Sequence, residues 1–325
     1  MHRFLRCLLA LSAAFAAVVP AAAAADVGPR SAILDVRPLG GRQYQVVVYS
    51  AAMNKPITLW VSHPDAPAPA LYLLNAVDGG EGGGPWNVRT DAARYFADKP
   101  VNVIVPIGGR ASYYTDWVAD DPALGRNEWS TFLIHELPPL LNARFQMTGR
   151  NAVAGVSMSG TSALDLAIEA PGMYQAVGVY SGCPSTNDPA ARAMVYSQLA
   201  TFGGNAANMW GAPGSTDWAA HDPIVNAGRL RGVALYISSG NGAAGVHDTL
   251  ADPSIGGNVG VLTDRLLVGG AMEQIVEGCT HAFTDRLAAL GIPAAAIFRG
   301  GTHAWPYWQD DLHASWRVFA PALGA

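Results

Sequence analysis

The chain has 325 residues, of which 50% are hydrophobic and 14% charged, and its formal net charge at pH 7 is -5. The large apolar fraction excludes an intrinsically disordered chain. Because 20 basic residues stand against 25 acidic ones, no excess of positive charge is left to neutralise a phosphate backbone, and nucleic acid is excluded as an expected partner. The length suits one large α/β domain, since such folds often enclose about 250 residues around a single core.

The amino terminus has the layout of a secretory signal peptide. A short basic head is followed by an apolar run from Leu8 to Pro20 and then by five alanines. We expect cleavage near Ala24 or Ala25, so that residues 1–25 are removed and residues 26–325 form a single domain. The alternative is an uncleaved membrane anchor, which the short run and its small-residue end disfavour. The signal predicts a secreted protein of the cell envelope or the extracellular space.

Export determines how the cysteines are interpreted. Cys7 is lost with the signal peptide, which leaves Cys183 and Cys279 in an oxidising compartment where paired thiols persist. We therefore predict a Cys183–Cys279 disulfide, with two separate buried thiols as the alternative.

Apolar, β-branched runs and helical patterns share most of the remaining chain. The predicted helices include 131–143, 161–170 and 280–290. The predicted strands are 44–49, 57–61, 70–74, 101–106, 152–156, 176–180, 233–238 and 295–298. The early strands follow one another directly and the later ones alternate with helices, which favours an α/β fold: a mostly parallel sheet with helices on both faces and an antiparallel start. Glycine-rich stretches at 78–85, 203–214 and 239–245 are expected to be loops of a functional site.

The segment 151–163, NAVAGVSMSGTSA, carries the clearest chemical signal. A strand pattern ends just before Ser157 and a helical pattern follows, as in a nucleophile elbow. Such a turn needs small residues two positions to either side of the serine, and Gly155 and Ser159 occupy those positions. The backbone N–H of Met158, at the start of the helix, is the expected oxyanion donor. The alternative is a serine that only caps the helix.

A nucleophilic serine needs a general base and an acid, and α/β-hydrolases place them in the order serine, acid, histidine. His303 follows a predicted strand within RGGTHAWPYW and is the best candidate for the base. His281 and His313 lie in helical patterns and are interpreted as ordinary surface or half-buried histidines. Strand order favours an acid after 233–238, but residue-level reasoning leaves four candidates open: Asp248, Asp252, Glu273 and Glu277.

Metal and cofactor chemistry has no support in the sequence. There is no H-E-x-x-H, paired C-x-x-C or EF-hand spacing, and the acidic residues are dispersed. We expect neither a metal ion nor a cofactor.

Taken together, these segments resemble the antigen 85 family of mycolyltransferases, which are secreted acyltransferases with the α/β-hydrolase fold. The family includes corynebacterial members. The likeness covers most of the predicted mature chain. The segments that carry it are YLLNAV at 72–77, PWN at 85–87, SYYTDW at 112–117, EWSTFLIHELP at 128–138, GVSMSGTSA at 155–163, MWG at 209–211, SGNG at 239–242 and GTHAWPYW at 301–308.

The resemblance implies a role for individual positions. The family's nucleophile and histidine correspond to Ser157 and His303. The family's acid corresponds to Glu273, whereas strand order favours Asp248. The second oxyanion donor falls on the backbone N–H of Val77. Asn75 and Trp305 fall at positions that bind substrate. The family's sugar-binding aspartate and arginine are here Asn75 and Asp78, so the charge at the second position is reversed.

The expected activity is therefore transfer of a mycoloyl group from a trehalose monomycolate-like glycolipid to a sugar acceptor, trehalose or cell-wall arabinan, through an acyl-enzyme. The altered sugar positions leave a secreted carboxylesterase with the same triad as one alternative. A non-catalytic protein that binds the envelope through a hydrolase scaffold is the other.

Overall fold

The computed structural model describes residues 30–325, in which nine strands form one sheet with the order β1-β2-β3-β5-β4-β6-β7-β8-β9. The predicted signal peptide lies outside the described residues. The strands are β1 (Ala32–Gly40), β2 (Gln43–Ser50), β3 (Lys55–Ser62), β4 (Ala70–Leu74), β5 (Asn102–Ile107), β6 (Asn151–Val156), β7 (Tyr174–Tyr180), β8 (Ala234–Gly240) and β9 (Ala295–Arg299).

The sheet is antiparallel at one side and parallel over the rest. Strands β1, β2 and β3 pair antiparallel, and β3 is antiparallel to β5. The strands from β5 through β4 and β6 to β9 are all parallel. The mostly parallel sheet with an antiparallel start is thus confirmed. Strand β1 was not predicted; it lies at the sheet edge and has no buried residue.

Helices connect the strands and cover both faces. They are α1 (Trp86–Arg89), α2 (Ala92–Tyr95), α3 (Trp129–Thr131), α4 (Leu137–Phe145), α5 (Met158–Glu169), α6 (Pro189–Thr201), α7 (Ala206–Trp210), α8 (Thr216–Ala220), α9 (Pro223–Asn226), α10 (Val259–Asp264), α11 (Gly270–Ala289) and α12 (Trp305–Leu323). Turns of π-helix at Phe132–Glu136 and Arg265–Gly269 join α3 to α4 and α10 to α11. Across residues 30–325, no helix has the length and apolar character to cross a bilayer.

The alternation of side chains along the strands divides the interior into two cores. In β4, Tyr72 and Leu74 pack with α3, α4, α5, α6 and α11, while Leu71 and Leu73 pack with α1, α2 and α12 on the other face. Strands buried on both faces read as continuous apolar runs, which is why β4 was predicted with its observed bounds. The carboxyl ends of the parallel strands meet at one edge of the sheet, where α/β folds place their sites.

Candidate active site

Ser157 lies on a sharp turn between β6 and α5. Its φ of 54° and ψ of -124° form a conformation that a non-glycine residue rarely adopts. The Ser157 N–H donates to the carbonyl of Tyr180 at 2.9 Å, and its own carbonyl accepts from the Gly160 N–H at 3.0 Å. These bonds hold the turn against β7 and place the serine at the carboxyl edge of the sheet.

The two residues flanking the serine at a distance of two positions shape this turn. A Cβ atom added to Gly155 would lie 2.0 Å from the carbonyl oxygen of Ser159, so any side chain at 155 is excluded. Ser159 is fully buried, and its hydroxyl accepts from the Val156 N–H at 2.9 Å and lies 3.0 Å from the Leu74 carbonyl oxygen. The serine that replaces the second glycine of G-x-S-x-G therefore ties the elbow to the end of β4.

Glu273 and His303 come together beside this elbow. Glu273 Oε2 lies 2.6 Å from His303 Nδ1, and Glu273 is fully buried. The other carboxylate oxygen accepts from the Ser181 hydroxyl at 2.6 Å and from the Gly240 N–H at 2.5 Å. Burial raises the pKa of Glu273, but the hydrogen bonds from His303, Ser181 and Gly240 outweigh it, so the pKa lies below its ordinary value.

The other three candidate acids make their hydrogen bonds or close contacts with residues other than His303. Asp248 accepts from the hydroxyls of Thr302 and Tyr307, both at 2.7 Å. Asp252 bonds to His247 at 2.8 Å. Glu273, and not an acid of the loop after β8 that strand order favoured, is therefore the carboxylate in contact with His303.

The remaining acid and the two other histidines are engaged elsewhere. Glu277 lies 3.8 Å from His281 on α11, where both side chains are partly exposed. His313 bonds to Asp91 at 2.7 Å and stacks on a tyrosine ring, so it is half-buried and does not face open solvent.

His303 keeps one ring nitrogen free within the protein. Its side chain is only 7% exposed, and its buried Nε2 atom has no hydrogen-bond partner among the described residues. Ser157 and His303 line the same small cavity, together with Tyr113, Met158 and Met272. About 10 Å³ of this cavity is open, roughly the room of one water molecule. The serine hydroxyl and Nε2 are not hydrogen-bonded to each other here, but Ser157 and His303 line the same cavity.

Two backbone N–H groups belong to the elements that border the serine. Met158 is the first residue of α5, so its N–H has no acceptor within the helix and lies at the positive end of the helix dipole. Val77 lies in the loop after β4, where its carbonyl accepts from the Ala111 N–H at 2.8 Å. Leu74, three residues earlier, is the residue that Ser159 bonds, which links this loop to the elbow.

The structure places Asn75, predicted to contact a sugar, in the interior. Asn75 is fully buried, and its amide nitrogen donates to the Pro106 carbonyl at 2.7 Å while its amide oxygen accepts from the Trp86 N–H at 3.2 Å. No polar group of this side chain reaches the surface, so it shapes the loop that contains Val77. Asp78 is likewise turned into its own loop, where it accepts from the N–H groups at 80 and 83.

A larger open cleft of about 650 Å³ adjoins the small cavity, and His303 and Met272 line both. Trp305, at the start of α12, lines the cleft and is half-buried. Its ring packs edge-on against that of Trp86, with 5.2 Å between the ring centroids. The wall combines charged and apolar groups: Arg89, His247, Asp252, Asp264, Arg265, Val261 and Val268. Such a surface suits a ligand with both polar and apolar parts.

Two features of the site were missed by sequence analysis. Ser181, which bonds Glu273, follows the end of β7 directly, and its position at the carboxyl edge of a parallel strand was the available signal. His247 bonds both Asp252 and Asp310 at 2.8 Å and holds the loop that forms one wall of the cleft. That loop begins within the glycine-rich stretch predicted to serve a site. Residues 30–325 contain no group of three or more side chains suited to hold a metal ion.

Comparison with known proteins identifies the family. A family model for esterases matches residues 50–318. The Ag85B protein of Mycobacterium leprae, named diacylglycerol acyltransferase/mycolyltransferase, is 32% identical over 280 residues, which cover 82% of this chain and 80% of the relative. The protein of the same name from Mycobacterium intracellulare is 30% identical over 98% of this chain and 94% of its own length.

Solved structures agree with the fold. The crystal structure of Mycobacterium tuberculosis MPT51 matches with a TM-score of 0.71 at 25% identity, over 87% of this chain and 100% of that chain. An S-formylglutathione hydrolase from Agrobacterium tumefaciens matches with a TM-score of 0.62 at 15% identity, over 90% and 100% of the two chains. The predicted α/β-hydrolase fold is thus confirmed. The chain belongs to the antigen 85 family of mycolyltransferases, a group of acyltransferase enzymes.

Proposed function

We propose that this chain is a serine acyltransferase that moves a mycoloyl group from a trehalose monomycolate-like glycolipid to trehalose or cell-wall arabinan. The observation that carries the proposal is the Glu273–His303 pair beside Ser157. A 2.6 Å contact at Nδ1 leaves the buried Nε2 atom of His303 without a partner, in the cavity that the serine also lines. The names of the relatives support the class of group transferred.

In the first step, Ser157 Oγ attacks the ester carbonyl carbon while His303 Nε2 takes its proton. Glu273 stays ionised, accepts the Nδ1–H bond and stabilises the imidazolium. The N–H groups of Met158 and Val77 stabilise the negative oxygen of the tetrahedral intermediate. As the intermediate collapses, the bond between the carbonyl carbon and the sugar oxygen breaks. His303 Nε2 donates the proton that it took from Ser157 to the departing sugar oxygen. An acyl-enzyme on Ser157 results.

In the second step, an acceptor hydroxyl gives its proton to His303 Nε2 and attacks the acyl-enzyme carbonyl. The new ester forms, the bond to Ser157 Oγ breaks, and the serine recovers its proton from His303. Transfer exceeds hydrolysis only when the acceptor is held beside the acyl carbon and water is excluded.

The cleft supports an amphiphilic donor. The Trp305 ring offers an apolar face on which a pyranose can stack, and it lies in the same cleft as Val261 and Val268. A sugar head and an acyl chain can therefore be bound side by side. We also propose that the protein acts outside the cytoplasm, because its first 25 residues match a signal peptide.

The test is an assay of residues 26–325 with a short-chain trehalose monoester and free trehalose, with products identified by mass spectrometry. We expect diacylated trehalose, and loss of turnover by roughly 10³-fold or more in Ser157→Ala. Ser162→Ala, one turn along α5, is the matched control and should keep activity. Turnover that survives Ser157→Ala would contradict the proposal.

A secreted carboxylesterase is the second candidate, favoured by one observation. The side chains at the two sugar-binding positions are both bonded within the protein: Asn75 donates to the Pro106 carbonyl, and Asp78 accepts from N–H groups of its own loop. If water is the acceptor, the same assay yields free acid and trehalose without any diester, and added trehalose does not change the rate of ester consumption.

A further inference from the structure

The segment Ser181–Cys183 lies where three parts of the site meet. Ser181 has a positive φ of 49° and donates from its hydroxyl to Glu273 Oε1 at 2.6 Å. Gly182 packs directly on Gly160 of the nucleophile helix, because a Cβ on either would lie 2.9 Å from the other's Cα. This segment therefore contacts both the acid and the helix that begins at the serine.

Cys183 continues these contacts. Its carbonyl accepts from the hydroxyl of Thr161, on α5, at 2.7 Å. Its side chain is buried and lines the cavity shared by Ser157 and His303. The half-cystine is thus part of the wall around the proposed nucleophile.

The other half of the disulfide belongs to the helix that carries the acid. Cys279 lies on α11, six residues after Glu273, and is disulfide-bonded to Cys183 as predicted, with the two Cα atoms 5.0 Å apart. Next to it, the Thr280 hydroxyl lies 3.3 Å from the Gly182 carbonyl oxygen. One covalent bond and one weak hydrogen bond therefore join α11 to the 181–183 segment, in addition to the Ser181–Glu273 contact.

Few side chains are buried at the amino-terminal end of α11, where the contacts are mainly of the backbone: Gly270 packs on Gly242, and the Gly269 carbonyl accepts from the His303 N–H at 3.2 Å. The π-turn Arg265–Gly269 and helix α10 that precede it contain no buried residue. In the first half of α11 only Gly270, Glu273 and Val276 are buried. Val276 is the one apolar side chain among these three, so the covalent link at Cys279 adds a restraint on α11 that apolar packing does not supply there.

We infer that the Cys183–Cys279 disulfide is a positioning element of the active site, which holds α11 so that Glu273 remains in contact with His303. The inference rests on the proposed function, because it assigns the disulfide to the same triad. Breaking the bond lets α11 shift relative to the 181–183 segment, and a displacement of about 1 Å at a catalytic group can cost roughly 10²-fold in rate. The disulfide acts through Glu273 and takes no part in the bond-making steps.

The test is the rate at which a fluorophosphonate probe labels Ser157, together with kcat and KM for the ester, in the wild type and in Cys183→Ala/Cys279→Ala. We expect labelling and kcat to fall by roughly 10- to 100-fold without the disulfide, with KM little changed. The decisive readout is the same comparison in a Glu273→Gln background. There, removal of the disulfide should change the rate little, because the group that it positions is already lost.

Two controls separate positioning from general stability. Leu141→Ala leaves a cavity at a buried position on α4. It should lower the melting temperature by an amount similar to loss of the disulfide. At temperatures below unfolding it should not change the rate of probe labelling. If the double variant does not fold, brief reduction and alkylation of the folded wild type gives the same comparison, because Cys279 is partly exposed.

The outcomes are distinct. An equal fractional loss in both backgrounds, an equal loss in Leu141→Ala, or no loss at all overturns the inference and leaves the proposed function standing. A wild type that the probe does not label at Ser157 overturns the proposed function, and the inference with it.

Discussion

Glu273 Oε2 and His303 Nδ1 lie 2.6 Å apart although 30 residues separate them in the chain. The contact depends on the start of α11 lying against the end of β8, where the Gly240 N–H donates to the same carboxylate. Glu273 thus lies beside the end of β8 in the folded protein. In the sequence it is far from that strand, on a helix that begins 30 residues later. The fixed carboxylate also selects the tautomer in which Nδ1 carries the proton and Nε2 can accept one.

Glu273→Gln should lower kcat by about 10³- to 10⁴-fold with little change in KM, since an amide of the same size cannot stabilise the imidazolium and can present its NH₂ group to Nδ1. Steady-state kinetics on the trehalose ester measure the effect. Glu277→Gln, on the same helix but paired only with His281 at 3.8 Å, is the control and should match the wild type. Equal losses in the two variants would remove Glu273 from the triad.

Gly155→Ala should prevent formation of the elbow. The new Cβ would lie 2.0 Å from the Ser159 carbonyl oxygen, and backbone atoms cannot move aside as a flexible side chain can. We expect insoluble or unfolded protein, or folded protein without probe labelling at Ser157. Gly228→Ala is the matched control, because a Cβ there meets no atom within 4 Å. A soluble, fully active Gly155→Ala protein would show that the turn is not built as described.

Ser159→Gly, which restores the G-x-S-x-G pattern, should destabilise the protein by about 1–3 kcal/mol, because the buried Val156 N–H loses its acceptor. The urea dependence of tryptophan fluorescence gives the free energy of unfolding. Ser162→Ala is a suitable reference, since the hydroxyl of Ser162 reaches only the Met158 carbonyl at 3.4 Å within the same helix. A Ser159→Gly variant as stable as the wild type would mean that the link to β4 contributes nothing.

The sheet was predictable from sequence where its strands are buried. The runs for β4, β6 and β7 are continuous and apolar because both faces of these strands are covered. Strand β1 has exposed positions along most of its length and gave no such signal. Helix α11 was predicted only from residue 280 onwards, because its first half buries few side chains and carries no clear apolar period.

The site was predictable where its chemistry is encoded locally. The elbow and the loop after β9 each occupy one short segment, so Ser157 and His303 could be selected from the residues themselves. The acid could not, since which of four carboxylates meets His303 depends on how α11 packs against β8; only the family resemblance favoured Glu273. The burial of Asn75 was not predictable for the same reason: it depends on Pro106 and Trp86, which are distant in the chain.

A pH-dependent loss of stability is expected from Glu169, at the end of the nucleophile helix. Desolvation of its carboxyl group, on a side chain that is still partly exposed, and after it the charge of Asp165, raise the pKa of Glu169 from 4.5 to about 7. A carboxyl that folding makes harder to ionise destabilises the folded state once it is charged, so its cost is absent below about pH 4.5 and complete above about pH 7. Glu169→Gln keeps an acceptor for the Ser130 hydroxyl, 3.3 Å away. Because solvent screens the exposed part of this side chain, the variant should exceed the wild type by about 1 kcal/mol or less in unfolding free energy at pH 8 and equal it at pH 4. Urea unfolding at the two pH values measures this difference. A stability difference that is larger at pH 4 than at pH 8 would contradict the prediction.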